Sequence, residues 1–167
     1  MELEFQLVHS EQQILLISQL AARIWTGHFI PIIGALQVEY MLERYQSVLA
    51  ISAQVKSGVR YELVYSDGLP VGYFAIQLNS LSQTLFLSKL YLDAVTRKRG
   101  YGARMISHIE QYCIQHSAHQ IWLTVNRNNA TSIAFYERMG FSIVAEVIQD
   151  IGNGFVMDDY RMEKSLL

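Results

Sequence analysis

One cysteine, Cys113, stands among the 167 residues, so no intramolecular disulfide staples the fold. That usage fits a reducing compartment. Proline is nearly as scarce, and two in the whole chain leave no Pro-rich spacer. No uninterrupted apolar stretch approaches the ~20 residues of a bilayer-spanning helix. The start, Met1-Glu2-Leu3-Glu4, lacks the basic region and apolar run of a signal peptide. Positive charge is not in excess either: 13 Lys and Arg face 15 Asp and Glu, a formal net charge of −2. A nucleic-acid-binding protein normally carries a basic surplus. Together these absences predict a soluble, cytoplasmic protein that binds neither nucleic acid nor membrane. They leave oligomeric state open, and a homodimer is compatible with all of them.

What is present is apolar residue, 51% of the chain, enough for a sizeable core. A chain of this length buries roughly 70% of the surface its unfolded form exposes. No repeat, low-complexity segment or boundary interrupts it, so a single domain over residues 1–167 is expected. One local charge feature stands out, Arg97-Lys98-Arg99 with Arg104 just beyond. A small positive spot on a near-neutral protein suits one anionic ligand better than a polyanion.

Leu3 to Val8 reads as a first strand. Ser10 then caps a helix carrying Ile14, Ile17, Leu20, Ala21 and Ile24 at helical spacing. Gly27, Pro31 and Gly34 are expected to break it, with His28 in the break. A second helical stretch follows through Val38, Met41, Leu42 and Tyr45 as far as about Val55. Tyr61 to Tyr65 and Val71 to Leu78, around Asp67-Gly68, read as a hairpin, and Thr84 to Leu92 as the next strand. Gly100 to Cys113 is the clearest helix, with Met105, Ile106, Ile109, Tyr112 and Cys113 on one face. Ile121 to Val125 is a strand. Asn129 caps a short helix that stops at Gly140. Phe141 to Val147 and Phe155 to Met162 form a last pair around Gly152-Asn153-Gly154. The order β-α-α-β-β-β-α-β-α-β-β implies an α/β fold with a mixed sheet covered by helices.

Between the strand Thr84 to Leu92 and the amphipathic helix lies Arg97-Lys98-Arg99-Gly100-Tyr101-Gly102-Ala103. A helix N-terminus carries unpaired N–H groups and partial positive charge, and glycine lets a phosphate approach the backbone. An anion is therefore expected on the amides from about Lys98 to Ala103. The competing reading is a glycine-capped turn with a solvated basic flank. The third glycine of a dinucleotide fingerprint is absent, and no P-loop Lys-Ser/Thr pair follows.

Downstream, Asn126, Asn129, Tyr136 and Gly140-Phe141 make a second constellation. With Arg97, Gly100 and Gly102 it resembles the GNAT superfamily, the Gcn5-related N-acetyltransferases. That family's motifs are Arg/Gln-x-x-Gly-x-Gly/Ala, and an Asn followed seven residues later by Tyr and then by Gly-Phe. Leu90-Tyr91-Leu92 is also similar to the family's strand, and the matching core runs from Leu85 to Phe141.

The resemblance implies a mostly antiparallel central sheet flanked by helices, with strands splayed at a cofactor cleft. It implies acetyl-CoA as cofactor. Pyrophosphate would lie on Arg97, Lys98, Arg99, Gly100, Tyr101, Gly102 and Ala103. Pantetheine would pair with the backbone of Leu90, Tyr91 and Leu92, between that strand and the one ending at Asn126. It further implies direct attack of an acceptor amine on the thioester, with Tyr136 as acid for the departing thiolate. A packed aromatic is the structural alternative for Tyr136. For Asn129 capping and cofactor contact are compatible, and Asn126 is either a second amide at the acetyl group or a turn residue.

Many members place a Glu near the start of the fourth strand, where this chain has Phe86, so the general base is not identified. Candidates are a water chain past Thr124 or Asn126, or Asp158 or Asp159; His28 is another, against a merely solvated ring. Glu39, Glu43, Asp158 and Asp159 would attract a cationic acceptor unless they are plain surface charges. Cys113, His116 and His119 mimic ligand spacing but drift around a helix and lack a fourth ligand, so no metal is expected. The leading acceptor is a small-molecule amine such as a polyamine or amino compound. A protein N-terminus is the second reading, and a non-catalytic acyl-CoA-binding regulatory module the third.

Overall fold

Ser10 opens the first helix with a reciprocal pair of bonds. Its hydroxyl accepts from the Gln13 N–H at 3.2 Å, and the Gln13 side-chain oxygen accepts from the Ser10 N–H at 3.1 Å. In the computed structural model, which describes residues 2–167, strand β1 covers Leu3–Leu7 and helix α1 covers Glu11–Ile33. Gly27 and Pro31 do not break α1; both lie inside it. A helical glycine costs about 1 kcal/mol, and Pro31 sits in the last turn, where it removes one donor, that facing the Gly27 carbonyl. The buried stripe of Ile14, Ile17, Leu20, Ala21, Ile24 and Trp25 outweighs both. The break falls at Gly34, whose φ of 85° favours glycine. His28 therefore stands on α1, not in a loop.

The second helical stretch divides in two, α2 (Ala35–Gln46) and α3 (Val48–Lys56). Ser47 is extended, and its hydroxyl caps α3 by accepting from the Ala50 N–H at 3.2 Å. A side chain that competes for backbone donors starts a new helix instead of continuing the old one. The remaining elements keep the expected order: β2 (Arg60–Ser66), β3 (Leu69–Asn79), β4 (Thr84–Leu92), a 3-10 turn (Ala94–Thr96), α4 (Tyr101–Gln115), β5 (Gln120–Asn126), α5 (Ala130–Arg138), β6 (Ser142–Gly152) and β7 (Phe155–Ser165).

The strands are hydrogen-bonded in the order β1-β2-β3-β4-β5-β7-β6. Pairs β1/β2, β2/β3, β5/β7 and β6/β7 are antiparallel, and β4/β5 is parallel. The fold is thus mixed α/β and mostly antiparallel. The β4/β5 ladder joins Thr84, Leu85 and Phe86 to Gln120, Ile121 and Trp122; β4 then runs on to Leu92 and β5 to Asn126.

The chain resolves into two compact units. One holds the chain up to Gln77 with Lys89–Gly102; the other holds Leu78–Ser88 with Ala103–Leu167. In the first, α1, α2 and α3 pack on one another, and Ile17, Leu20, Ile51, Leu63, Tyr73 and Phe74 are fully buried. In the second, Met105, Ile106, Ile109 and Cys113 of α4 are buried, as are the alternate β5 residues Ile121, Leu123 and Val125. Lys164 of β7 pairs with Glu110 of α4, which identifies that face of β5 and β7 as the one under the helix.

A charge interrupts the first unit's core. Lys89 continues the inward alternation of Leu85 and Leu87 on β4. Its ammonium donates to the Tyr45 carbonyl and to Gln54 Oε1, each at 2.8 Å, and to the Tyr61 hydroxyl. Tyr61 donates to Gln54, and Gln54 Nε2 donates to the Tyr45 carbonyl at 3.2 Å. Three acceptors meet three N–H bonds, but none is a carboxylate. Burial accordingly pulls the Lys89 pKa down to about 7. Between that value and the unfolded value of 10.5 the unfolded chain binds the extra proton, so this group's contribution makes stability rise with pH. Relative to Lys89→Met, which has no such proton, the wild type should gain on the order of 3 kcal/mol from pH 7 to 9.5. Urea unfolding of both proteins at the two pH values checks this; a difference independent of pH contradicts it.

Candidate functional site

β4 leaves the sheet at Leu92, and Asp93 anchors the chain beyond it. Its N–H donates to the Val71 carbonyl at 2.8 Å, its carboxylate accepts from the Val95 N–H, and it holds Arg23 of α1 at 2.6 Å. On β3, Gly72 faces the same stretch. A Cβ there would collide with the Tyr91 carbonyl oxygen and the Leu92 side chain, so only glycine permits this approach. Tyr91 packs its ring against Trp25 (5.6 Å), Phe29 (6.1 Å) and Tyr73 (5.5 Å). Leu90, Tyr91 and Leu92 are all half-buried.

The turn beyond has left-handed backbone at Lys98 (φ 64°) and at Gly100 (φ 75°). A lysine in that region is uncommon and marks a constrained backbone. Turn backbone with left-handed residues is a setting in which N–H groups line an anion-binding concavity. At Gly100 an added Cβ would meet nothing within 4 Å. The side chains of Arg97, Lys98 and Arg99 are exposed beside this open space. Arg97 lies 3.4 Å from both His28 Nδ1 and the Leu92 carbonyl oxygen. The helix α4 begins directly afterwards, at Tyr101. The Tyr101 side chain turns inward, buried and hydrogen-bonded with the Ser66 hydroxyl at 2.8 Å, so what it offers an anion is its backbone N–H. Gly102 and Ala103, in the first turn of α4, are half-buried. Open space, left-handed backbone and a basic rim are the features that a coenzyme's pyrophosphate would need.

The second unit holds the other expected residues. Asn129 is buried and caps α5, its Oδ1 accepting from the Ser132 N–H and the Thr131 hydroxyl, both at 3.4 Å. Asn126 Oδ1 accepts from the Asn128 N–H at 2.9 Å, a turn role that leaves the amide nitrogen uninvolved in that bond. Tyr136 is buried on α5, its ring against Phe135 and Phe141. Burial pushes its pKa well up, so the phenol stays protonated throughout the neutral range.

The acidic candidates separate. Asp158 is half-exposed and bound to Arg127 at 2.8 Å, and Arg127 also reaches Glu146. Asp159, one residue on, is 7% exposed, and burial raises its pKa to about 6. Glu39 and Glu43 are exposed on α2. Phe86 is stacked on Trp122, ring centroids 4.0 Å apart. Cys113 is buried and His116 stacks on Tyr112; among the described residues no group of three or more His, Cys, Asp or Glu is placed to hold a metal.

Two residues escaped the sequence reading. Gly72 carried a signal, a glycine inside the strand run Val71 to Leu78. Lys89 carried one too, a charge at an inward position of an alternating strand. What each one contacts depends on distant segments.

Residues 27–141 match the family model described as Acetyltransferase (GNAT) family. The streptothricin acetyltransferase of Streptomyces lavendulae is 29% identical over 79 residues, 47% of this chain and 42% of that protein. The chain thus spans less than half the length of that relative. The PaiA N-acetyltransferase of Thermoplasma acidophilum, solved in complex with coenzyme A, superposes with a TM-score of 0.80 at 18% identity, covering 99% of both chains. A GCN5-related N-acetyltransferase of Rhodopseudomonas palustris gives 0.80 at 17%, covering 99% of this chain and 95% of that one. At these identities the structural likeness establishes the fold.

Gly100→Ala places a methyl group on the open side of the turn. The left-handed backbone adds a strain of about 1–2 kcal/mol. Calorimetry is expected to show coenzyme A affinity falling at least about tenfold, from loss of close phosphate approach. A folded variant with undiminished affinity removes the turn from the site.

Proposed function

The chain belongs to the acetyltransferase (GNAT) family, and from there we propose that it is an acetyl-coenzyme A-dependent N-acetyltransferase whose acceptor is a small-molecule primary amine, such as a polyamine or amino compound. The observation that carries this reading is the turn Arg97 to Ala103. Its left-handed Lys98 and Gly100, its empty approach and its basic rim provide for a diphosphate. The small-molecule acceptor is supported by the relative whose name specifies streptothricin, a match that covers part of that protein.

When bound, acetyl-coenzyme A supplies a thioester, an acetyl group already activated for attack by an amine. In this reading the amides from Lys98 to Ala103, with Arg97, Lys98 and Arg99, hold the diphosphate. The backbone of Leu90 to Leu92 pairs with the amide-bearing arm, and Asn126 and Asn129 contact it. Tyr136 donates a hydrogen bond to the sulfur as the C–S bond breaks. Its raised pKa keeps it a donor at every pH where the enzyme works. A thiol of ordinary pKa ~8.5 needs only that modest help.

Thiol release from acetyl-CoA against a panel of amines and N-terminal peptides tests the reading. Turnover with a small amine supports it. Turnover restricted to peptides moves the acceptor to a protein N-terminus, and tight binding without turnover makes the chain a regulatory module. Tyr136→Phe is expected to lower kcat by about 10²- to 10⁴-fold with little change in the KM for acetyl-CoA. Nearly full kcat, with chemistry rate-limiting, removes Tyr136 from the reaction.

A further inference from the structure

An alkyl ammonium of pKa ~10.4 is about 0.04% free base at pH 7, equivalent to roughly 4.6 kcal/mol. A transferase acting on such an amine gains if a side chain takes that proton. Among the described residues, one carboxyl group is buried and has no ion pair, that of Asp159. Asp159 lies on β7 directly across from Asn126, the last residue of β5. Cross-strand partners share a face, so Asp159, Asn126 and Thr124 stand together, and the Thr124 hydroxyl hydrogen-bonds the Asp159 carboxylate. This is the face opposite the one that Lys164 and Glu110 place under α4. It is also the stretch of β5 beyond Trp122, its last partner in the β4 ladder.

The surroundings decide the chemistry. Along β7, Asp158 raises the Asp159 pKa, adding to burial, and Tyr160 is the other neighbour. Across β6 the partner is Val147, which offers no charge. The two nearby guanidinium groups are committed elsewhere: Arg127 to Asp158 and Glu146, Arg161 to Glu163 at 2.9 Å and to the Trp122 ring at 4.0 Å. A structural carboxylate at this depth normally has a cationic partner. Among the described residues the side-chain partner of Asp159 is the Thr124 hydroxyl, which orients the carboxylate without neutralising it.

We infer that Asp159 is the catalytic base that takes the proton from the acceptor ammonium, with Thr124 as its positioning residue. This rests on the transferase reading above. In net terms R–NH3+ and the acetyl thioester give the amide, the thiol and one proton. Asp159 takes the first proton from nitrogen and passes it to solvent. The nitrogen pair forms the C–N bond while the C–S bond breaks with its pair on sulfur. Tyr136 gives its phenolic proton to sulfur, and the second nitrogen proton restores the phenol.

The test is a set of pH–rate profiles for wild type, Asp159→Asn, Asp159→Glu and Thr124→Val with one good amine acceptor. For wild type, kcat/KM should rise through about pH 6, the value set for Asp159, and stay level to about 9. Asp159→Asn should lose about 10²-fold or more at pH 7, yet bind acetyl-CoA as before. Its remaining rate should climb tenfold per pH unit as free amine accumulates. Asp159→Glu should restore part of the activity with a level profile. Loss of the Thr124 hydroxyl should move the acid limb upward, because that bond favours the ionised carboxylate. An Asp159→Asn enzyme with wild-type rate and limb overturns the assignment. If that variant fails to fold, an acid limb unmoved in Thr124→Val overturns it. A wild type inactive toward every amine while still binding coenzyme A overturns the transferase reading itself, and the base with it.

Discussion

The Lys89 ammonium, buried against three uncharged oxygens, is the constraint from which the first unit is best understood. Its three acceptors come from the end of α2, from α3 and from β2, and Lys89 itself comes from β4. Taking a cation out of water is costly, and the fold tolerates it only if every N–H finds an oxygen at the right place. One point thereby fixes four elements. The α2–α3 junction is part of the arrangement, since the acceptor at its end is a backbone carbonyl, freed by the break at Ser47. Leu90, Tyr91 and Leu92 follow Lys89 directly, so the strand end expected to meet a coenzyme inherits its position from this cage.

Past Leu92 the same logic continues with other groups. Gly72 lets β3 approach the Tyr91 carbonyl, and Asp93 ties the chain to Val71 and to Arg23. Tyr101 closes the segment by bonding Ser66 at the end of β2. The left-handed residues Lys98 and Gly100 sit between these anchors. Strained backbone persists where its surroundings over-determine it, and here Asp93 and Tyr101 do so from either side.

Asp158 and Asp159 show how far one residue along a strand changes a carboxyl group. Successive side chains point to opposite faces. Asp158 meets Arg127 and is half-exposed; Asp159 meets Thr124 in a buried position. The first is an ordinary ion pair of small energetic weight. The second has its proton affinity moved toward neutrality, the condition a general base needs.

Sequence alone determined the order of strands and helices nearly throughout, because alternation and helical spacing are local properties of each segment. It also located the glycine turn and the Asn129, Tyr136 and Gly140-Phe141 series, since these motifs are contiguous or short in spacing. It misplaced the end of α1 because Gly27 and Pro31 disfavour helix by only a few kcal/mol, less than a buried apolar stripe returns. It overlooked the break at Ser47, where a single capping bond decides between one helix and two. Tertiary structure alone decided the roles of Lys89, Gly72 and Tyr101, whose partners lie 35, 28 and 44 residues away for Lys89 and 35 for Tyr101. It alone distinguished Asp159 from Asp158. Proton affinity depends on desolvation and on neighbouring charge, and neither is written in the residue or in its spacing; both arise only when β5 and β7 lie side by side.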